Sequence, residues 1–524
     1  MSGSGSSGGA GAPGGRARRL GGREMLELVL DDGTFTSWDV APVQARTSPQ
    51  YAAELVRAAE RSGADEAVVT GEGLLRGRRV AVVAGEFSFL AGSIGVAAAD
   101  RLVAAVERAT AEGLPLLAAP SSGGTRMQEG TIAFLTMVKI SAAVAAHKAA
   151  GLAYLAYLRH PTTGGVFASW GSQAHVTVAE PGALVGFLGP RVYEALYGQP
   201  FPEGVQTAEN LHAHGLVDAV VEPERVADVA DRALGILLAA RPSAPPVLED
   251  GDAVPADRAH ELPDVPAWDS VLLSRRRERP GIRRLLRYAA RDVVPLNGTG
   301  AGENDPGLLL ALARLGGTGC VLLGQDRRGQ TPDAPLGPAA LRAARRGMAL
   351  AAQLDLPLVT VIDTPGAALS VEAEEGGLAG EIARCLAELV MLPAPVVSVL
   401  LGQGTGGGAL ALVPADRVVA AQHAWLSPLP PEGASAIVHR DVEHAAEMAA
   451  AQGVRSLDLV RDGVVDVVVP ERPDAAVEPE EFCRRLGRVV EAEIARLVGQ
   501  PAEERLAARH ERYRRLGHAS HEDA

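Results

Sequence analysis

The feature that most constrains this chain is a long repeat. LPLLAAPSSGG, beginning at Leu114, is matched by LPLVTVIDTPG from Leu356, an offset of about 242 residues. TTGGV from Thr162 is matched by TGGGA from Thr405 at about 243, and GLVDAVV from Gly215 by GVVDVVV from Gly463 at about 248. Three matches in one order at nearly constant spacing mark a duplicated domain, with a period too long for a solenoid. Within each copy, short β-branched runs alternate with Ala-rich helical stretches. RVAVVAGEF (Arg79–Phe87), ADRLVAAVERATAEG (Ala99–Gly113) and LPLLAAPSSGG read as strand, helix, strand and loop. The alternation predicts an α/β fold with mixed or parallel sheets, built twice.

Between the copies, residues 241–269 (RPSAPPVLEDGDAVPADRAHELPDVPAWD) are rich in Pro, Asp and Glu, lack an apolar period, and predict a linker. The expected domains are therefore 23–240 and 270–500. Residues 1–22 read as a disordered Gly/Ser-rich tail and 501–524 as a charged C-terminal tail or helix. The first segment lacks the apolar stretch of a secretory signal, and no run of 18 or more uncharged apolar residues predicts a membrane span. A cytoplasmic location is expected. Aromatic residues are only 4% of the chain, so the core must be built from Ala, Val and Leu. The formal charge of −14 argues against nucleic acid as a partner, because no positive field is present to displace counterions. Only Lys139 and Lys148 are lysines among the 50 basic residues, so arginine pairs carry little weight as signals. Cys320, Cys385 and Cys483 lie far apart with no CxxC pair, which supports neither a disulfide framework nor a zinc site.

Each copy places a strand, a Gly-containing loop and a helix twice over. The loops are Ser121-Ser122-Gly123-Gly124-Thr125 and Thr162-Thr163-Gly164-Gly165-Val166, then Asp363-Thr364-Pro365-Gly366-Ala367 and Gly404-Thr405-Gly406-Gly407-Gly408-Ala409. Glycine lets backbone N–H groups turn outward and lets a ligand approach without meeting a Cβ. A following helix N-terminus adds unsatisfied donors and a partial charge that favours an anion. Two such loops facing each other would hold one developing oxyanion, and the duplication would supply two such holes. The competing reading is four tight turns with glycine kept for packing. Neither GxGxxG nor GxxxxGK[ST] occurs at these loops, which disfavours ordinary nucleotide binding.

The longer motifs carry a resemblance. SSGGTRMQEG (Ser121–Gly130), PTTGGVFAS (Pro161–Ser169), AEPGALVGFLGPRV (Ala179–Val192) and EGVQTAENLHAHGLVDAVV resemble the β subunit of bacterial acetyl-CoA carboxylase carboxyltransferase. IDTPGAALSVEAEEGGLAGEIAR (Ile362–Arg384), GQGTGGGALAL (Gly402–Leu412) and LSPLPPEGASAIVHRD (Leu426–Asp441) resemble its α subunit. The order is that of the fused acyl-CoA carboxylase carboxyltransferases. The resemblance implies two tandem crotonase-like domains, each a ββα superhelix, in a homo-oligomer, dimer or hexamer. Its active sites would lie where the first domain of one protomer meets the second domain of another. It also implies transfer of a carboxyl group from carboxybiotin on a separate carrier protein to the α-carbon of an acyl-CoA, with acetyl-CoA to malonyl-CoA, as in fatty acid biosynthesis, the favoured case. Fixed backbone donors at the two oxygens where charge develops would supply the catalysis, with no side-chain base required.

By this resemblance Gly164 and Gly165, with Gly123 and Gly124 nearby, form the acyl-CoA hole. Gly408 and Ala409, with Gly366, Ala367 and Gly407 nearby, form the biotin hole. Arg126 stands where the family has an arginine, and either meets a CoA phosphate or braces its loop through Glu129; Arg191 is weighed the same way. Arg327 and Arg328 match a basic CoA-facing loop that looks shortened here, with a solvated turn as the alternative. Glu432 reads as holding its own loop, and Ser427 and His423 as structural. The pattern departs from the family in lacking a zinc ribbon, in Gly376 and Gly377 where a basic residue is common, and in His160 before Pro161. No biotin-attachment motif or ATP-grasp region is seen, so a biotin carboxyl carrier protein and a biotin carboxylase are the expected partners, and no metal is expected. The alternatives are a biotin-dependent acyl-CoA decarboxylase, a crotonase-type enzyme acting without biotin, and a non-catalytic subunit binding acyl-CoA or a carrier.

Overall fold

The computed structural model describes residues 19–43, 48–242 and 244–517. The expected N-terminal tail lies outside the described residues through position 18. In the first half the strands are β1 (Thr36–Ser37), β2 (Val68–Leu75), β3 (Arg78–Gly85), β4 (Leu116–Ala119), β5 (Tyr154–Leu158), β6 (Thr162–Thr163), β7 (Val176–Ala179), β8 (Val185–Gly186) and β9 (Ala219–Val220). Seven of them form one sheet in the order β1-β2-β3-β4-β5-β7-β9, while β6 pairs with β8 alone. The β1–β2 and β2–β3 pairs are antiparallel, and every later pair is parallel. The eight-residue hairpin strands turn through Arg76-Gly77, both at positive φ. The parallel strands return through helices, chiefly Val96–Ala111 and Gly130–Ala149.

The second half repeats this plan with β10 (Val254–Pro255), β11 (Ala290–Leu296), β12 (Leu308–Leu315), β13 (Thr318–Gln325), β14 (Leu358–Thr364), β15 (Val396–Thr405), β16 (Arg417–Ala421), β17 (Trp425–Ser427) and β18 (Val467–Val469). The order is β10-β18-β16-β15-β14-β13-β12-β11, with β17 beside the end of β15. Strand for strand β11 to β14 match β1 to β4. The pair β15–β17 reproduces both β5 and the small β6–β8 pair. The duplication read from sequence is thus a duplication of topology.

The halves are not separate bodies joined by a tether. Helix Val226–Leu237, from the first half, buries Val226, Ala230, Ala233, Leu234 and Leu237 in one core with β11, β12 and β13. The stretch 241–269, expected as a linker, is folded onto the second half. Val254 and Pro255 pair antiparallel with Val468 and Val467, Leu262 is buried, and buried Asp252 takes a bidentate pair from Arg488. A two-residue strand and a short 3₁₀ turn need no apolar period, so the sequence pattern could not show them. At the C-terminus Ala502–Arg514 is a helix whose buried Arg509 binds Asp416 and the carbonyls of Leu389, Leu392 and Ala394.

One segment departs from a polar exterior. Met127–Ala149 is long and apolar enough to cross a bilayer by length and composition, although Glu129, Lys139 and Lys148 interrupt it. In the fold it packs Ala133, Met137, Ile140 and Val144 inward and leaves Ile132, Phe134, Leu135 and Val138 exposed.

Candidate functional site

The glycine loops sit at the C-terminal ends of the parallel strands, where open α/β sheets place ligands. In each half the two loops meet. Ser122 bridges to Thr162, and Thr364 to Gly404, both 242 residues on. A Cβ on Gly164 would stand 3.2 Å from Gly124 Cα, and one on Gly408 would stand 3.3 Å from Ala367 Cβ and 3.5 Å from its N. This fixes the register that sequence alone misses by one. Gly164 (φ 62°) matches Gly406 (φ 66°), not Gly407, so TTGGV and TGGGA align at 242 rather than 243.

Hydrogen bonding then separates spent donors from available ones. Gly123 N–H donates to Ala91 O (2.8 Å), Gly124 N–H to Ser122 Oγ (3.0 Å), and Gly164 N–H to Phe187 O (2.9 Å). In the second half Gly366 N–H donates to Thr364 Oγ1 (3.1 Å), the counterpart of the Gly124 bond. Ala409, fourth residue of the one-turn helix Gly406–Leu410, bonds within the helix to Thr405. These five glycine-loop positions shape the loops but do not offer their N–H groups, which corrects the expectation for Gly164 and Ala409 as donors. Among the described residues, the N–H groups of Gly165, Ala367, Gly407 and Gly408 have no acceptor, and neither do those of Thr125 and Val166. The free sets are equivalent: Thr125, Gly165 and Val166 against Ala367, Gly407 and Gly408. Thr125 and Val166 were missed by sequence because they are not glycine. The repeat, aligned at its structural register, would have pointed to both.

The charged residues take defined places. Arg126 is fully buried, makes a bidentate pair with buried Glu66, lies 3.5 Å from Glu129 and donates to Ser93 O at 2.7 Å. It braces the loop from behind and is enclosed on all sides, so a contact with substrate phosphate does not fit. Its partner Glu66 is 60 residues away in sequence, beyond what local spacing signals. The side chain of Arg191 lies outside the described residues. Arg327 is held by Ser274 O (3.1 Å) and Asp363 (3.4 Å), whereas Arg328 is exposed and its side chain has no partner among the described residues. Both border a cavity of about 500 Å³ lined also by Arg277, Arg279, Arg283 and Asp326. Asp363, at the foot of its loop, is fully buried, and burial raises its carboxyl above the usual range against the pull of Arg327 and Arg279. Glu432 makes a bidentate pair with Arg275 rather than with its own loop. His423 meets Ser270 Oγ (3.1 Å) and Ser427 donates to Leu429 O (2.7 Å), so the two form no nucleophile–base pair.

The chain matches the family described as "Carboxyl transferase domain" over residues 18–507. It is 63% identical over 494 residues to the "Probable biotin-dependent acyl-coenzyme A carboxylase beta3 subunit" of Mycobacterium tuberculosis (strain ATCC 25618 / H37Rv), covering 94% of this chain and 98% of that one. It is 37% identical over 518 residues to the "Acetyl-coenzyme A carboxylase carboxyl transferase subunits beta/alpha" of Salinispora arenicola (strain CNS-205), covering 95% and 91%. A transcarboxylase 12S structure superposes with a TM-score of 0.68 at 22% identity over 89% of each chain. A single-chain, multi-domain long-chain acyl-CoA carboxylase superposes with a TM-score of 0.69 at 19% identity, over 91% of this chain and 46% of that one. These likenesses bear out the α/β fold of two tandem crotonase-like domains. With a match to nearly its full length and a twice-built set of loop donors, the chain belongs to the carboxyl transferase domain family and is a carboxyltransferase.

Proposed function

We propose that the chain is the carboxyltransferase component of a biotin-dependent acyl-CoA carboxylase. The first half holds the acyl-CoA and the second holds the biotin end of a separate carrier. The observation that carries this reading is the pair of equivalent N–H sets, Thr125/Gly165/Val166 and Ala367/Gly407/Gly408, each left without an acceptor where two loops meet. A two-substrate transfer in which an oxygen on each partner gains negative charge needs two such sites. Backbone donors fixed in place are each worth several kcal/mol once water is excluded. The names of these relatives, 98% and 91% of whose lengths the matches span, support the acyl-CoA substrate and the biotin dependence.

Bound carboxybiotin supplies the carboxyl group. The chain's own part is to hold each carbonyl oxygen against its N–H set and to exclude water, with no side-chain base among the donors. Acetyl-CoA is the proposed acceptor, and the cytoplasm the proposed location. The cleft is closed by a second copy. Met127 and Leu369, at equivalent positions beyond the two loops, are 74% and 95% exposed, and the apolar face Ile132–Val138 lies beside the first. A homo-oligomer, with the first half of one protomer against the second half of another, covers these residues. It also brings the cavity beside Arg327 and Arg328 within reach of CoA phosphates. The test is a carboxylation assay with reconstituted carrier and biotin carboxylase over acetyl-, propionyl- and longer acyl-CoAs, with sedimentation of the same preparation. Carboxyl transfer by an oligomer is expected. A fully active monomer removes the shared cleft, and failure to carboxylate any acyl-CoA in the presence of carboxylated carrier removes the assignment.

A further inference from the structure

The two donor sites are equivalent in plan but not in how they are held. In the first half β3 ends at Gly85, where a Cβ would stand 2.5 Å from Ser121 N, so main chain packs directly on the main chain of the loop. The equivalent last residue of β13 is Gln325, fully buried. Its Nε2 donates to Gly408 O at 2.7 Å, and its Oε1 accepts from Asp363 N at 3.1 Å. Among the described residues the Gly408 carbonyl has no other partner, because its helix ends after one turn and Leu412 N–H bonds to Ala409 O instead. One amide side chain therefore ties the loop that presents Gly408 to the loop that runs from Asp363 to Ala367. Gln330 works beside it: its Nε2 donates to Asp363 O (3.2 Å) and its Oε1 accepts from Thr364 Oγ1 (2.5 Å). In the first half the equivalent hydroxyl, Ser122 Oγ, donates to a main-chain carbonyl, Gly92 O (2.5 Å).

We infer that Gln325 is a positioning residue that sets the spacing between the Ala367 and Gly408 donors, and hence the geometry of the second-half site independently of the first. The inference rests on the proposed role of that site. An amide suits the task because it offers one donor and one acceptor in a plane to two groups of opposite need. An apolar replacement leaves a buried carbonyl and a buried N–H unpaired, with nothing to hold the loops at their separation.

The experiment compares Gln325→Leu, Gln325→Glu and Gly408→Val in the full-length protein with reconstituted carrier. Gln325→Leu is expected to lower kcat about tenfold or more while the KM for acyl-CoA stays within about twofold, since the first-half site is untouched. Gln325→Glu provides the second readout. When protonated, its carboxyl donates O–H to Gly408 O and accepts from Asp363 N–H; when ionised, it faces a carbonyl and cannot donate. Its kcat relative to wild type is therefore expected to fall as pH rises. The charged groups around it are Asp363 and Asp326, with Arg279, Arg283 and Arg327. Normal kcat in Gln325→Leu alongside an inactive Gly408→Val overturns the inference and leaves the site standing. Full activity in Gly408→Val overturns the site itself. If Gln325→Leu fails to fold, a Gln325→Glu profile parallel to wild type overturns the inference.

Discussion

Replacing Gly408 by alanine adds one carbon at the point where the two second-half loops touch. That carbon would stand 3.2 Å from Leu336 Cδ2 and 3.3 Å from Ala367 Cβ. The leucine can rotate away. The alanine methyl cannot move without its main chain, so the Ala367 N–H is displaced by a few tenths of an ångström. The φ of Gly408 is not positive, so the backbone itself accepts a side chain. A helical Gly→Ala exchange stabilises by about 0.5–1 kcal/mol, and mild overpacking costs about 1 kcal/mol or more. The two nearly cancel, and a net change of about 0.5 kcal/mol or less should shift Tm by no more than about 1–2 °C. Activity has no such offset. Removing one oxyanion donor elsewhere costs about 10²–10³ in rate, so shifting one while keeping it should cost about tenfold. The assay is carboxyl transfer per folded protein, measured beside thermal melting. Full turnover at an unchanged Tm would refute the reasoning, because the separation of Gly408 and Ala367 would then not matter. A loss of activity that merely tracks a large fall in Tm would reduce Gly408 to a packing residue.

Three further outcomes are expected. Arg126→Met strands buried Glu66 and should cost about 3–5 kcal/mol in denaturant titrations, while acyl-CoA KM in the folded fraction is unchanged; a raised KM with normal stability would instead place Arg126 in contact with substrate. Gly164→Ala forces a side chain to φ 62° with a carbon 3.2 Å from Gly124 Cα, so a loss of at least about 1–2 kcal/mol is expected, and a neutral melting curve would contradict it. Burial alone would raise the Glu471 carboxyl, but its bidentate pair with Arg279 brings it down to about 2. A carboxylate depressed in the folded state gives stability that is present above its unfolded range, about 4.3, and lost as pH falls toward the folded value. Glu471→Gln should therefore flatten the decline in denaturation midpoint over that acid range, and an unchanged decline would count against the pair.

What the sequence made legible was whatever repeats or alternates. The strand read at Arg79–Phe87 is β3 (Arg78–Gly85), and the repeated runs from Leu114 and Leu356 hold β4 and β14, with the duplication itself marked by spacing. The glycine loops were found as loops, but a run of three glycines slides by one position without any change in pattern; the left-handed φ of Gly164 and Gly406 and the bridges Ser122–Thr162 and Thr364–Gly404 fix the match. Donor roles were less legible still. Gly123 has its N–H taken by Ala91 O, a partner distant in sequence, whereas Gly165 keeps its own free among the described residues. Arg126 was weighed against Glu129 because that residue is near in sequence, whereas its main partner is Glu66. Gln325 gave no signal, since a single glutamine ending a strand belongs to no motif.

Helix Val226–Leu237 has a consequence for how the protein is made. Its apolar side faces strands that end at Gln325, so the ribosome completes the helix well before its cover exists. At about 5–20 residues per second, the intervening stretch takes roughly 4–18 seconds to synthesise. During that interval the nascent first half can close its own sheet but must carry an uncovered apolar ridge. The hairpin β12–β13, with its local contacts, is the element whose emergence ends the exposure, and it completes the first half as much as it begins the second.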